Sequence, residues 1–266
     1  MPYVSVNGVR FHYLDEGSDR AAPIIFLHGL TLDHRMFARQ VGFFKVHYRV
    51  IVPDAKGHGL SDAPATGYSR RDRVHDLKGL LDELKIERFH LVGLSMGGST
   101  GIGFALEFPE RLASLTLISS GAAGYSIGKK IDRIDQTARE QGLEAARQKW
   151  REFSLLHFKG DREHLRTEIE TMINEHSGAI WIDAMRGRYP REFDMERIHT
   201  ISAPTLVISG KLDKVFTQLA GELAKNIPDS RLLTYPEVGH LVNLEAPDRL
   251  NRDLLAFLCQ VDNPTG

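Results

Sequence analysis

Short apolar runs separated by helical patterns constrain this chain more than any other feature. Each run is rich in β-branched or aromatic residues and is closed by Gly or Pro: Ile24–Leu27, Val50–Val52 and Phe89–Leu94. Runs that are apolar on both faces suit strands buried in a parallel sheet. Between the second and third runs, Ser69–Lys85 carries apolar residues at helical spacing. This alternation predicts a mostly parallel sheet with helices on both faces.

The remaining core elements lie at both ends of the chain. Two alternating segments, Tyr3–Val6 and Val9–Leu14, flank Asn7-Gly8, which is a strong hairpin signal. Further strands are expected at Ala113–Ile118, Pro204–Ser209 and Arg231–Tyr235, and further helices at Val215–Ile227 and Pro247–Leu258.

Residues 122–200, which we call the cap, break the alternation and contain no convincing strand. Two sets of residues there each share a helical face: Leu143, Ala146, Trp150, Phe153 and His157, and Leu165, Ile169, Met172 and His176. We therefore expect a core of residues 1–121 and 201–266, with a helical cap inserted between two core strands. The cap would form a lid, because ligands bind at the carboxyl ends of such strands; a subdomain that only packs is the alternative. Trp181, Met185, Phe153 and His157 are candidates either for the pocket lining or for the interior of the cap.

Charge and cysteine content exclude several classes of protein. Lys and Arg number 34 against 35 Asp and Glu, a net charge of −1, which argues against nucleic acid or anionic membrane as a partner. Cys259 is the single cysteine, so neither an internal disulfide nor a cysteine-based zinc site is possible, and a reducing compartment fits. We see no membrane span and no secretory signal pattern, and we expect a cytoplasmic protein.

The strongest chemical signal is Gly93-Leu94-Ser95-Met96-Gly97, which matches Gly-x-Ser-x-Gly. It follows the expected strand Phe89–Leu94 and opens an expected helix, Met96–Phe108. A serine on a sharp strand-to-helix turn has an exposed hydroxyl, and the helix N-terminus points N–H groups at developing negative charge. A glycine-rich turn with an incidental serine is the alternative, but this placement favours Ser95 as a nucleophile.

A serine nucleophile needs a base and an orienting acid. His240 follows the last expected strand, and Asp213 follows the expected strand Pro204–Ser209, so both belong to loops at the carboxyl edge, where Ser95 also lies. The order Ser95, Asp213, His240 is the α/β-hydrolase order. Asp213 could also cap the helix that follows it, and the two roles can coexist.

Acyl transfer also requires hydrogen-bond donors for the oxyanion. His28-Gly29-Leu30 follows the strand Ile24–Leu27, which places the backbone N–H groups of Leu30 and Met96 to form this hole. We expect His28 to hold its loop through hydrogen bonds and Gly57-His58-Gly59 to be a structural turn.

These motifs together resemble the α/β-hydrolase superfamily. The matching pieces are His28–Leu30, Pro53–Gly59, Gly93–Gly98, Gly210–Asp213 and Gly239-His240. The resemblance implies the α/β-hydrolase fold, a mostly parallel sheet flanked by helices with the inserted cap. It also implies a Ser95–His240–Asp213 triad that needs no cofactor and no metal. The chain likewise shows no metal-ligand spacing of its own.

Within the superfamily, Gly93–Gly98 and Phe108–Leu112 look most like small carboxylesterases and 3-oxoadipate enol-lactonases. Haloalkane dehalogenases and epoxide hydrolases use Asp where Ser95 stands. Carbon–carbon bond hydrolases usually carry Trp after the catalytic His, where this chain has Leu241, and that departure weakens their case.

The predicted function is therefore hydrolysis of a small or medium uncharged carboxylic ester through an acyl-enzyme, with a small-molecule ester or lactone as partner. Lactone hydrolysis, carbon–carbon bond hydrolysis and slow-turnover ligand sensing remain alternatives. The cap mixes charges such as Arg147, Lys149, Arg151 and Glu152 with apolar residues, so it lacks the apolar face of a lipase lid. A dicarboxylic enol-lactone would need a basic residue in the pocket, and several cap arginines could serve. The sequence does not indicate an oligomeric state.

Overall fold

The computed structural model describes residues 2–125, 130–153, 163–185 and 188–263. Within them, eight strands form one sheet in the order β1-β2-β4-β3-β5-β6-β7-β8. The strand bounds are β1 Tyr3–Val6, β2 Val9–Glu16, β3 Pro23–Leu27, β4 Arg49–Pro53, β5 Phe89–Leu94, β6 Leu112–Ile118, β7 Thr205–Gly210 and β8 Ser230–Tyr235. Strand β2 pairs antiparallel with β1 and β4, and the pairs from β4 to β8 are parallel. The mostly parallel sheet is confirmed.

Helices cover both faces of this sheet. Those of the core are α1 Ala38–Phe44, α2 Arg70–Glu83, α3 Met96–Glu107, α8 Lys214–Asn226, α9 Val242–Glu245 and α10 Pro247–Asp262. Alternate residues of β3 divide between the two layers. Ile24 and Phe26 pack in the layer that contains α1 and α10, whereas Ile25 and Leu27 pack in the layer that contains α2, α3 and α8. The period-2 alternation of a strand explains this division.

The described parts of the connection from β6 to β7 form helices and loops, with no strand among them. They contain α4 Lys130–Gln141, α5 Leu143–Arg151, α6 Glu163–Glu175 and α7 Ala179–Ile182. The residues expected on helical faces, Ala146, Trp150, Leu165, Ile169, Met172 and His176, are buried, and Leu143 and Phe153 are partly buried. His157 lies outside the described residues.

Polar contacts join the cap to the core at several points. The Trp150 indole donates a hydrogen bond to Thr31, and the Ser177 hydroxyl donates one to the carbonyl oxygen of Gly57. Arg35 of the core forms an ion pair with Glu175 of α6. The cap thus rests on the loops that follow β3 and β4, at the carboxyl edge of the sheet.

In the described part of the chain, no helix is both long and apolar enough to span a membrane.

Candidate active site

Ser95 sits at the turn between β5 and α3 in a backbone conformation that L-residues rarely adopt, with φ +55° and ψ −109°. Its N–H donates to the carbonyl oxygen of Ile118 at 3.0 Å, so the neighbouring strand holds the turn. The glycines on either side are required by close approach, since a Cβ on Gly97 would collide with the backbone of Leu27, and one on Gly93 with that of Gly97. A strained turn costs about 1–3 kcal/mol and persists only where its surroundings fix it.

His240 and Asp213 come together on neighbouring carboxyl-edge loops. The His240 Nδ1 lies 2.6 Å from Asp213 Oδ2, and both side chains are buried. Asp213 also caps α8, because its Oδ1 accepts a hydrogen bond from the Phe216 N–H at 3.3 Å. When Nδ1 carries the proton and donates it to Asp213, the other ring nitrogen, Nε2, is left as a proton acceptor.

A cavity of about 250 Å³ lies at this edge of the sheet. Ser95, His240, Leu30 and Met96 all line it, whereas Asp213 stands behind His240 and does not. The structure therefore brings together every residue that the sequence singled out for catalysis.

The cap contributes Ala122, Tyr125, Trp150 and Ile180 to the described lining of this cavity. The candidates Trp181, Met185 and Phe153 are not part of this described lining, which leaves the other interpretation of them, as residues that pack within the cap, for Trp181 and Phe153. Trp181 is buried inside the cap, Met185 faces solvent, and Phe153 stacks on the Trp150 ring with the ring centroids 5.3 Å apart.

The loop after β3 is held from both sides. His28 Nδ1 bonds to the carbonyl oxygen of Gly29 at 2.9 Å, and His28 Nε2 accepts the Ala55 N–H at 2.9 Å. Burial lowers the pKa of His28, so the ring is neutral and serves as the expected brace of its loop. Thr31 Oγ1 donates to the Leu30 carbonyl oxygen at 2.6 Å and accepts from the Trp150 Nε1 at 2.7 Å. The Met96 N–H is the first of α3 and has no partner within the helix.

A family model described as the alpha/beta hydrolase fold matches residues 22–247. The chain belongs to the alpha/beta hydrolase family.

Relatives of this hydrolase act on several kinds of bond. A 2-hydroxy-6-oxononadienedioate/2-hydroxy-6-oxononatrienedioate hydrolase from Burkholderia vietnamiensis is 32% identical, over 94% of this chain and 91% of that protein. Among solved structures, the enol-lactonase from Burkholderia xenovorans has a TM-score of 0.87 and 27% identity, covering 97% of this chain and all of that one. A thermophilic esterase from Thermogutta terrifontis has a TM-score of 0.87 and 26% identity, covering 99% of this chain and all of that one.

The turn after β4 is structural in this hydrolase, as the sequence suggested. Gly57 and Gly59 have positive φ angles, and a Cβ on Gly59 would collide with the Asp54 carboxylate. His58 is buried, and its burial holds the pKa well below the ordinary value.

Two histidines surround Asp54, an arrangement that the sequence did not reveal. The carboxylate accepts from His12 Nδ1 at 2.7 Å and from His34 Nδ1 at 2.9 Å. Burial alone would raise the pKa of Asp54, but these hydrogen bonds outweigh it and the pKa lies far below its ordinary value. The three residues could in principle hold a metal ion. Ligands of a tetrahedral zinc lie about 3.3 Å apart, so the shorter separations here fit hydrogen bonds better.

Arg73 lines the cavity and was missed by sequence reasoning. A signal was present, because Arg73 stands three and four residues before the buried Asp76 and Leu77 and so shares their face of α2. Among the described residues, no arginine of the cap lines this cavity. Arg147 donates to the carbonyl oxygen of His176, and Arg151 bonds to Asn174 and Glu144.

Proposed function

We propose that this hydrolase cleaves small or medium carboxylic esters through an acyl-enzyme formed on Ser95. One observation carries the proposal: Ser95 stands on a strained strand-to-helix turn and lines the same cavity as His240, whose other face is bonded to Asp213. The esterase and the enol-lactonase among the solved structures support it, since both are named for ester or lactone chemistry.

In the proposed reaction, the Ser95 hydroxyl oxygen attacks the ester carbonyl carbon while His240 Nε2 takes the hydroxyl proton. The carbonyl π electrons move onto oxygen, which the N–H groups of Leu30 and Met96 stabilise. The C–O bond to the alcohol then breaks, and His240 returns the proton to the leaving alkoxide. A water molecule then attacks the carbonyl carbon of the acyl-enzyme, with the same proton transfers through His240. This step releases the carboxylic acid and restores the Ser95 hydroxyl. Asp213 orients His240 and stabilises its imidazolium form.

The proposed role of the cap is to close the cavity and limit the acyl chain. Each acyl methylene that fits adds about 0.8 kcal/mol of burial, and this gain ends where the cavity of about 250 Å³ ends. We expect kcat/KM to rise through short acyl chains, to peak at about C4–C6 and to fall by about C12.

Carbon–carbon bond hydrolysis is the second candidate, because the named substrates of the Burkholderia vietnamiensis relative contain no ester. Leu241, which lines the cavity, stands where such enzymes usually carry Trp.

The test is a panel of p-nitrophenyl esters from acetate to laurate, small lactones and an oxo-dienoic acid, with the wild type and Ser95→Ala. We expect Ser95-dependent turnover of the short esters. Turnover of the oxo-dienoic acid alone would replace the ester proposal with the second candidate. A preference for laurate would contradict the bounded cavity.

A further inference from the structure

The loop that carries His240 is tied to the loop that carries Asp213. The Leu212 N–H donates to the carbonyl oxygen of Val238 at 2.9 Å. The two backbones approach so closely that a Cβ on Gly210 would collide with the same carbonyl oxygen. These contacts are the first anchor of the His240 loop, and they set its distance from Asp213.

A carboxylate gives this loop a second anchor. The N–H of Gly239, the residue before His240, donates to the two carboxylate oxygens of Glu245, each at 3.0 Å. Glu245 is the last residue of α9, and its own N–H donates to the carbonyl oxygen of Leu241 at 2.9 Å. The Glu245 side chain therefore reaches back over α9 to the residue that stands before the base.

The contact between Glu245 and Gly239 is close and strong. An added Cβ on Gly239 would lie only 2.8 Å from Glu245 Oε1, so the carboxylate sits directly against the backbone. Glu245 is partly buried, and a hydrogen bond from an N–H to a carboxylate is about twice as strong as one between neutral groups. The backbone just before His240 is thus held at a defined place.

This second anchor does something for His240 that its bond to Asp213 does not. Asp213 bonds to Nδ1, which sets the tautomer and the rotation of the ring, whereas the backbone sets the point from which the ring extends. Nε2 must come within hydrogen-bond reach of the Ser95 hydroxyl, and a displacement of about 1 Å can cost roughly 10²-fold in rate. Gly239 shares a peptide bond with His240, so holding its N–H limits this displacement.

We propose that Glu245 is a positioning residue of the active site, which keeps His240 within reach of Ser95 by accepting the Gly239 N–H. Glu245 is absent from the described lining of the cavity, so it acts through His240 and not on the substrate. The role requires an acceptor oxygen at the right distance rather than a negative charge. This inference rests on the proposed ester hydrolysis at Ser95.

Three substitutions at Glu245 test the proposal with p-nitrophenyl butyrate. Glu245→Ala removes the acceptor, and we expect kcat to fall at least about tenfold with little change in KM, because a misplaced base weakens the transition state and not substrate binding. Glu245→Gln keeps an acceptor oxygen at the same reach and should retain most of the wild-type kcat. Glu245→Asp keeps the charge but withdraws the acceptor by one methylene, so its kcat should lie between those of the other two variants.

The matched control is Glu222→Ala, which removes an exposed glutamate of α8. Its kcat should equal that of the wild type, because this carboxylate is remote from the Gly239 N–H in the hydrogen-bond pattern of the His240 loop.

Two further measurements separate positioning from a general effect on stability. Asp213→Asn and Glu245→Ala both act through His240, so their effects on kcat should be less than additive in the double variant. The low-field proton resonance of the hydrogen bond between His240 and Asp213 should shift or broaden in Glu245→Ala and stay in place in Glu245→Gln.

Wild-type kcat in Glu245→Ala, an equal loss in Glu245→Ala and Glu245→Gln, or full additivity with Asp213→Asn overturns the role of Glu245, even where hydrolysis depends on Ser95. If Glu245→Ala does not fold, the comparison of the other two variants decides, and a higher kcat in Glu245→Asp than in Glu245→Gln overturns the role. If the wild type shows no Ser95-dependent ester hydrolysis, the proposed function itself fails, and the proton resonance still tests whether Glu245 positions His240.

Discussion

The Asp213 carboxylate has two roles. It accepts a hydrogen bond from the N-terminus of α8, and it is the hydrogen-bond partner of His240. An asparagine in its place can keep the hydrogen bond to the N-terminus of α8, because its side-chain oxygen also accepts from a backbone N–H. It cannot replace the electrostatic role of Asp213 beside His240, since it carries no charge to stabilise the imidazolium. The two roles can therefore be separated by a single substitution.

We predict that Asp213→Asn lowers kcat on a short p-nitrophenyl ester by roughly 10⁴-fold, as loss of the orienting acid does in other triads. The melting temperature should stay close to that of the wild type, because the hydrogen bond at the N-terminus of α8 is preserved. Steady-state kinetics and a melting curve measure both. Near-normal turnover would mean that another residue orients His240.

Gly59 offers a second test at the residue scale. Alanine there must adopt φ +50° and collide with Asp54, which carries the hydrogen bonds from His12 and His34. The left-handed backbone alone costs about 1–2 kcal/mol, so we predict that Gly59→Ala lowers the free energy of unfolding by at least this amount in urea titrations.

The matched control for Gly59→Ala is Gly42→Ala. Gly42 lies within α1, and a Cβ there meets nothing within 4 Å. Alanine should stabilise that helix by about 0.5–1 kcal/mol. Equal effects of the two substitutions would show that the turn after β4 is not constrained.

Among the elements, α5 of the cap is joined to the loop after β3 by one hydrogen bond. Trp150 Nε1 donates to Thr31 Oγ1, which itself donates to the carbonyl oxygen of Leu30. Thr31 has φ +66°, an uncommon value for a β-branched residue. The cap therefore helps to fix the peptide that we propose as one half of the oxyanion hole.

We predict that Trp150→Phe lowers kcat several-fold, and that Trp150→Phe and Thr31→Val are not additive in the double variant, because both remove the same hydrogen bond. Trp181→Phe is the control, since Trp181 is buried in the cap and does not line the cavity. It should change stability more than kcat. Full additivity of the first two substitutions would argue against the coupling.

Sequence patterns located most elements because their signals are local. The expected strands agree with the structure within two residues at each end, and β5 matches at both ends. The short helices α1 and α9 were not predicted, since four to seven residues are too few to show a helical period. The histidines around Asp54 were missed for another reason: they come from distant parts of the chain, and no local pattern encodes those contacts.

For the molecule as a whole, the junction of core and cap should make stability depend on pH. His58 and His176 are buried with their ring centroids 4.5 Å apart. Burial, with the Arg147 charge nearby, lowers the pKa of His176 from 6.5 to about 3. Below pH 6.5 the unfolded chain takes up a proton that the folded chain refuses, so stability falls from pH 6.5 towards pH 3.

We predict that His176→Gln reduces the slope of unfolding free energy against pH in this range by up to about 1.4 kcal/mol per pH unit, the value for one proton. Urea titrations at several pH values measure this slope. His199→Gln, at an exposed position of the cap, should leave it unchanged. Equal slopes in the wild type and His176→Gln would show that His176 is not held neutral.

The proposed role of Ser95 as the nucleophile of this hydrolase can be tested by intact-protein mass spectrometry after treatment with a fluorophosphonate. We expect one adduct per chain, located at Ser95 by peptide mapping, no adduct in Ser95→Ala, and much slower labelling of Asp213→Asn. Labelling of another residue, or stoichiometric labelling of Ser95→Ala, would contradict it.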